Sequence, residues 1–321
     1  MPTLARRSLL AGGLAAMTLA VSPAEAARPR RRFFDRIGKP IGLQLYTLGD
    51  ELGPNLDAMY TRLAAAGYRD LELPSLLGKT PQDLRAAADQ HGMAYSSIHL
   101  PLAGLGAPAT GLTLLSEPQR IADALGVLGI HQAIAPILAL PSDFRPQAGE
   151  DFKTAIARSV AAGGEDIWKR TAQQLNERAA ALRPYGITVG YHNHNMEFAP
   201  VGNTTGWDIL AHEADAGLVK FELDLGWVAA AGLDPAAFIT RHAGRVLCLH
   251  VKDLKATTRT NYALGMDPCE VGSGKQDWAR ILRAAERAGV QHYYVEQEPP
   301  FAMPRIEAAE RSFRYLAGVR A

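Results

Sequence analysis

The chain has 321 residues, and its 34 lysines and arginines nearly balance its 33 aspartates and glutamates. This balance argues against a broad basic surface for nucleic acid or anionic lipid, so we expect neither as a partner. Hydrophobic residues make up 47% of the sequence, as in an ordinary globular protein. The length suits one barrel domain of roughly 250 residues with appendages.

The N-terminus has the order of a secretory signal peptide. Arg6 and Arg7 precede an apolar run over residues 9–21, and residues 24–26 (Ala-Glu-Ala) offer a small-x-small cleavage site. The paired arginines favour a twin-arginine signal over a general secretory one. The apolar run is short and rich in Gly and Ala, which argues against a permanent membrane helix. We predict a cleaved signal over 1–26, a linker over 27–40, a folded domain over 41–321 and a periplasmic location.

Beyond residue 40, short apolar runs alternate with longer helical patterns. A glycine separates each helical pattern from the next run, and glycine readily adopts the left-handed conformation that ends a helix. These glycines are Gly67, Gly92, Gly129, Gly186, Gly217, Gly244 and Gly289. The runs predict strands over 41–46, 68–73, 93–99, 130–136, 187–192, 218–224, 246–252 and 290–296.

Helix starts support the same division. Thr80 and Asp234 each precede a proline, the arrangement of an N-cap followed by Pro at the first helical position, and Asp277 precedes another helical pattern. Eight alternating strand and helix units predict an α/β fold, a single-domain (β/α)8 TIM barrel. An open doubly wound sheet that binds a dinucleotide has a Gly-rich phosphate loop after its first strand. The sequence has no such loop there, which argues against this alternative.

Two further features concern loops and cysteines. Residues 137–165 predict a long loop after the fourth strand, on the catalytic face, where such loops often act as lids. Cys248 lies in an apolar run and reads as a core residue, so we predict no disulfide with Cys269.

Polar side chains end nearly every predicted strand, where a barrel of this type carries its active site. On the last four strands they occur as His192 and His194, Glu222 and Asp224, His250 and Lys252, and Glu296 and Glu298. Buried polar groups are costly unless paired or ligated. A mixture of imidazoles and carboxylates suits Mn, Zn, Co or Fe(II) better than Ca. We predict one divalent ion bound by His192, Asp224, His250 and Glu296, with His194 and Glu197 as rivals for the position of His192.

Five motifs resemble the xylose isomerase-like TIM-barrel superfamily of sugar isomerases and epimerases. They cover residues 191–198, 223–227, 249–253, 270–274 and 295–298, and the resemblance extends over about residues 40–318. It implies a divalent metal held by a Glu, an Asp, a His and a Glu on strands five to eight. The last three correspond to Asp224, His250 and Glu296. His192 stands where the family usually has glutamate, which puts in doubt a mechanism with two opposed glutamates.

Metal-assisted removal of a proton next to a carbonyl fits these residues. Glu296 is the candidate base, and Lys252, Glu197 or His194 would return a proton or polarise an oxygen. Lys252 could instead form a simple ion pair with Asp253.

Four side chains are candidates for contact with a sugar. They are His99, His194, Tyr46 and Trp227. Packing at the barrel rim is the alternative for His99 and for the two aromatic residues.

Four functions compete. The first is a sugar isomerase or epimerase, and the export signal favours an unphosphorylated sugar or keto-sugar. The second is a metal-dependent lyase or hydrolase of an oxidised (keto) glycoside. Phosphodiester cleavage of the endonuclease IV kind fits poorly with the neutral charge. A non-catalytic sugar-binding barrel is the fourth, and homo-oligomerisation is left open.

Overall fold

A computed structural model of the protein describes residues 31–102 and 111–321. The predicted signal peptide lies outside the described residues. Eight parallel strands form a closed barrel, which confirms the predicted TIM barrel. The strands are β1 (Gly42–Gln44), β2 (Asp70–Leu73), β3 (Ala94–His99), β4 (Gln132–Ala135), β5 (Thr188–His192), β6 (Val219–Asp224), β7 (Val246–Val251) and β8 (His292–Val295). Each strand pairs with its neighbours in the chain, and β1 pairs with β8 to close the barrel.

Helices surround this barrel. They are α1 (Phe33–Ile37), α2 (Leu56–Ala66), α3 (Pro81–Gln90), α4 (Pro118–Leu128), α5 (Phe152–Leu182), α6 (Gly206–Glu213), α7 (Leu225–Ala230), α8 (Pro235–Arg241), α9 (Trp278–Ala288) and α10 (Arg305–Gly318). The predicted caps are confirmed, because the side chains of Thr80, Asp234 and Asp277 each accept a backbone N–H of the helix they precede. No helix in the described ranges is long and apolar enough to cross a membrane.

Part of the predicted linker over residues 27–40 packs against the barrel. Phe33 and Phe34 of α1 are buried, with ring centroids 6.1 and 5.5 Å from that of Tyr293. The Phe33 N–H also donates to the Val319 carbonyl. The Arg- and Pro-containing sequence around these residues is typical of a linker, but burial of two aromatic side chains stabilises an ordered structure here.

The predicted loop over residues 137–165 is shorter than expected. α5 begins at Phe152, and the Asp151 carboxylate accepts the Thr154 N–H to cap it. Only Gly164 leaves the helical conformation, with φ 51° and ψ −133°, so the glycine kinks the helix without ending it. Gly217 differs as well, because it lacks the positive φ of the other helix-ending glycines and donates its N–H to Asp215. Both cysteines are free, as predicted.

His242 provides a test of folding that is independent of the active site. Its ring packs against Trp207 and Phe238, and Trp207 Nε1 donates to His242 Nε2 over 3.0 Å. Burial lowers the pKa of His242 to about 4, with Arg241 and Arg245 adding to the effect. The unfolded chain protonates this histidine near pH 6.5, so it binds more protons than the folded chain at mildly acidic pH.

We therefore expect His242 to stabilise the fold above about pH 6.5 and to lose this contribution as the pH falls toward about 4. Urea unfolding of wild type and His242→Gln across this window measures the effect. The stability difference between the two proteins should shrink as the pH falls. A difference that does not change with pH would mean that His242 titrates alike in the folded and unfolded states.

Candidate active site

The carboxyl ends of the barrel strands bring ionisable side chains to one end of the molecule. Because the strands are parallel and closed, residues far apart in the chain meet there. The group comprises Glu72, His99, His192, Glu222, Asp224, His250, Lys252 and Glu296, all of them buried. So many buried charges require mutual pairing or a bound cation.

A cavity of about 750 Å³ opens above these side chains. His99, His192, His194, Glu296 and Glu298 line it together with rim residues such as Tyr46, Leu77, Lys79 and Phe152. Cavities of roughly 300–1,000 Å³ accommodate small organic ligands. Tyr46 is half exposed at the rim, where its ring is free to contact a ligand.

His250 lies at the centre of the ionisable group. Its Nε2 is 2.6 Å from Glu72 Oε2 and 3.0 Å from Glu222 Oε1. Its Nδ1 is 2.8 Å from Glu296 Oε2 and 3.8 Å from Asp224 Oδ2. Burial alone would lower the pKa of His250, but Glu222 and Glu296 raise it well above its usual value. Without another cation, the ring therefore carries a positive charge.

Three imidazoles converge on one carboxylate oxygen. Glu222 Oε1 is 2.8 Å from His99 Nε2 and 3.1 Å from His192 Nδ1, in addition to its contact with His250. Burial would raise the pKa of Glu222, but His250 and His99 hold it well below its usual value. Burial and His250 lower the pKa of His192. Burial would also lower the pKa of His99, but Glu72 and Glu222 have the larger effect and raise it. Of the two outer rings, His99 holds a proton more readily.

Lys252 neutralises the carboxylates on the other side of His250. The lysine is fully buried, and its Nζ is 2.6 Å from Asp224 Oδ2, 2.7 Å from Glu296 Oε2 and 2.8 Å from Glu298 Oε1. These carboxylates outweigh burial and raise the pKa of Lys252 well above its usual value. Gly226 makes room for the lysine, because a Cβ there would lie 2.7 Å from Lys252 Cγ.

The alternative ion pair of Lys252 with Asp253 is wrong. Successive residues of a strand face opposite sides, so the two side chains diverge. The Asp253 carboxylate instead accepts the backbone N–H groups of Gly272 and Gly274 and the indole N–H of Trp278. Asp253 thus fixes the loop that precedes α9.

Glu197 and Trp227 lie outside both the cavity lining and the buried ionisable group. Glu197 accepts the Tyr191 hydroxyl and the His194 N–H with its two oxygens, and burial raises its pKa to about 7. It positions the segment that carries His194 and belongs to neither group of ion-binding candidates described below. Trp227 is buried beneath the site, with its ring 5.1 Å from Lys252 Nζ and 5.7 Å from the ring of His194.

Sequence reasoning did not assign Glu72, Glu222 or Gln44 to the site. Glu72 and Glu222 are fully buried beside His250, and Gln44 Nε2 donates to Glu72 Oε2 over 2.8 Å. A signal was present, since each is a polar residue near the carboxyl end of an apolar strand. Our prediction of metal ligands took one residue from each of strands five to eight, namely His192, Asp224, His250 and Glu296.

Among the described residues, two groups have ligand atoms close enough to hold a metal ion. One comprises His99, His192, Glu222 and His250, and the other comprises Asp224, His250 and Glu296. The four predicted ligands are therefore divided between two groups that share His250. The donors suit a borderline divalent ion. Glu222 Oε2 and Glu72 Oε1 are buried without a hydrogen-bond partner, so the cluster has unused ligand capacity.

A family model described as "Xylose isomerase-like TIM barrel" matches residues 60–318. The chain belongs to this family. The resemblance noted in the sequence is thereby confirmed, and so is the expected class of fold.

Proteins of known name are similar to part of the chain. An inosose dehydratase of Clostridium beijerinckii is 24% identical over 200 residues, 58% of this chain and 66% of that protein. The inosose dehydratase of Geobacillus kaustophilus is 25% identical over 203 residues, 62% of each protein. The chain thus spans less than two thirds of the length of these relatives.

Solved structures show the same barrel. A sugar phosphate isomerase/epimerase from Parabacteroides distasonis has a TM-score of 0.66 and 26% identity, with 88% of this chain and 94% of that chain covered. The IOLI protein with a bound zinc atom has a TM-score of 0.58 over 88% of this chain and 99% of its own, at 15% identity. At that identity the second likeness concerns the fold alone.

Proposed function

We propose that this protein is a divalent-metal-dependent lyase that acts on a keto sugar or keto-polyol. In this reaction a base removes the proton next to the substrate carbonyl, and the oxygen substituent one carbon further along departs with a proton. The names of the inosose dehydratases support this reaction class. The observation that supports it most is that the groups able to accept and to donate a proton lie on different sides of the cavity.

A proton acceptor and a proton donor occupy different sides of the cavity. Glu296 follows β8, and although burial would raise its pKa, Lys252 and His250 hold it well below the usual value. It is therefore an ionised carboxylate that accepts a proton. His99 ends β3, three strands from β8 around the barrel, and its raised pKa favours the protonated, donating form. Such a pair can carry out an elimination, because one group takes the C–H proton and the other protonates the departing oxygen.

Each residue of the site has a separate role in the proposed reaction. A divalent ion held by candidates such as Asp224 and His250 would polarise the substrate carbonyl and make the neighbouring C–H more acidic. Glu296 takes the C–H proton, the C–O bond breaks, and His99 protonates the departing oxygen, which leaves as water or an alcohol. Lys252, beside Glu296, adds positive charge near the developing oxyanion.

Product analysis in D₂O tests the proposal. The protein would be reconstituted with Mn, Zn, Co or Fe(II) and incubated with a keto-inositol and with a 3-keto-glycoside. We expect a product that has lost water or the aglycone, detected by mass spectrometry and by a new conjugated-carbonyl absorption. Absence of both product and solvent exchange with all four metals would overturn the proposal.

A sugar isomerase or epimerase is the second candidate. The relation to the Parabacteroides distasonis protein, which extends over nearly its whole length, favours it. The same proton abstraction would then be followed by return of a proton from the histidine side of the cavity. A product of unchanged composition that carries one solvent deuteron would identify this reaction and exclude elimination.

A further inference from the structure

His250 is shared by the two groups of ion-binding candidates, but through different nitrogens. Its Nε2 faces Glu72 and Glu222, whereas its Nδ1 faces Glu296 and Asp224. A neutral imidazole has one N–H donor and one lone pair. The tautomer of this ring therefore decides which group can bind an ion.

Glu72 makes the shortest contact of the ring, 2.6 Å from Nε2, and it is fully buried. Gln44, which pairs with Glu72 across β1 and β2, holds this carboxylate in place. The Gln44 Oε1 accepts the Tyr46 N–H over 3.1 Å, so its amide nitrogen is the atom that donates to Glu72 Oε2. The Glu72 oxygen at Nε2 is thus fixed as an acceptor.

We propose that Glu72, oriented by Gln44, holds His250 as the Nε2–H tautomer and so leaves its Nδ1 lone pair for an ion beside Asp224 and Glu296, the ligands that the family resemblance implies. Neither Glu72 nor Gln44 lines the cavity, and neither belongs to a group of ion-binding candidates, so both are positioning residues. A carboxylate that accepts the second N–H of a metal-bound histidine orients the ring and makes it a better ligand. The inference rests on the proposed metal dependence but not on the identity of the substrate.

The opposite assignment is chemically unfavourable. An ion among His99, His192 and Glu222 would require the Nε2 lone pair of His250. Nε2 would then no longer carry the proton that the Glu72 oxygen, 2.6 Å away, accepts, and this buried carboxylate would lose a donor. With the ion on the Nδ1 side, His99 and His192 keep Glu222 as their partner and remain available for proton transfer at the cavity wall.

Metal affinity tests the proposal without any substrate. Protein freed of metal with a chelator is titrated with Zn(II) or Co(II) against a chromophoric chelator. The assay is run at about pH 8. We expect Glu72→Gln and Glu72→Ala to bind one ion with about 10–100-fold weaker affinity than wild type. Asp224→Asn should lose tight binding.

Asp70→Asn is the matched control. Asp70 is a buried carboxylate two residues earlier on the same strand, and it holds His292 Nδ1 at 2.8 Å but contacts no candidate ligand. Its ion affinity should equal that of wild type, and thermal melts would show whether each variant is folded.

Wild-type affinity in both folded Glu72 variants would overturn the proposal. Loss of the ion in Glu222→Gln together with its retention in Asp224→Asn would also overturn it, by placing the ion on the imidazole side. Weakened ion binding without turnover of any keto substrate would refute the proposed function alone. Metal-dependent turnover with unchanged affinity in the Glu72 variants would refute only the role of Glu72.

Discussion

Replacing Glu296 by glutamine is expected to lower kcat by about 10²–10⁴-fold, because a carboxamide cannot accept the substrate proton. Glu296 lines the cavity, and Lys252 and His250 keep its carboxylate ionised. Rates would be measured on a keto-inositol at saturating metal. The metal content of the variant must be measured as well, since Glu296 is also a candidate ligand.

Glu298→Gln is the comparison for this variant. Glu298 lines the same cavity and lies 2.8 Å from Lys252 Nζ, nearly the same distance as Glu296, but it belongs to neither group of ion-binding candidates. Its loss should lower kcat far less than the loss of Glu296. A fully metal-loaded Glu296→Gln protein with wild-type turnover would remove Glu296 as the base.

The barrel could be predicted from the sequence because its signals are local. An apolar run bounded by a helix-ending glycine places a strand to within about two residues, as the predicted run over 246–252 and the observed strand Val246–Val251 show. A glycine without a following apolar run does not predict the end of a helix reliably. Gly164 lies within α5, where Ile167 and Trp168 are buried beyond the kink and hold the second half of the helix in place.

The position of the site was predictable, but its pairings were not. Strand ends show which residues gather at the mouth of the barrel, whereas the choice of partner depends on rotamers and on neighbours across the barrel. Lys252 therefore pairs with Asp224 and not with the adjacent Asp253. Glu197 is similarly held by the Tyr191 hydroxyl, six residues earlier in the chain.

The second large effect concerns stability. Lys252→Met is expected to lower the unfolding free energy of the metal-free protein by about 3–5 kcal/mol, because it removes the lysine that, together with protonated His250, neutralises buried carboxylates. Asp224 and Glu296 both lie within 2.7 Å of Lys252 Nζ and are buried. Urea unfolding of wild type and variant in the presence of a chelator would measure the loss.

A divalent ion at Asp224, His250 and Glu296 would bring positive charge to the same carboxylates, so added metal should stabilise Lys252→Met more than wild type. Lys169→Met serves as control, since Lys169 is exposed and its pair with Glu165 should contribute less than about 1 kcal/mol. Equal losses in the two variants would show that the buried lysine is not needed to neutralise the carboxylates. If added metal failed to stabilise Lys252→Met, the ion would not be bound by Asp224 and Glu296, because an ion that binds the folded protein stabilises it.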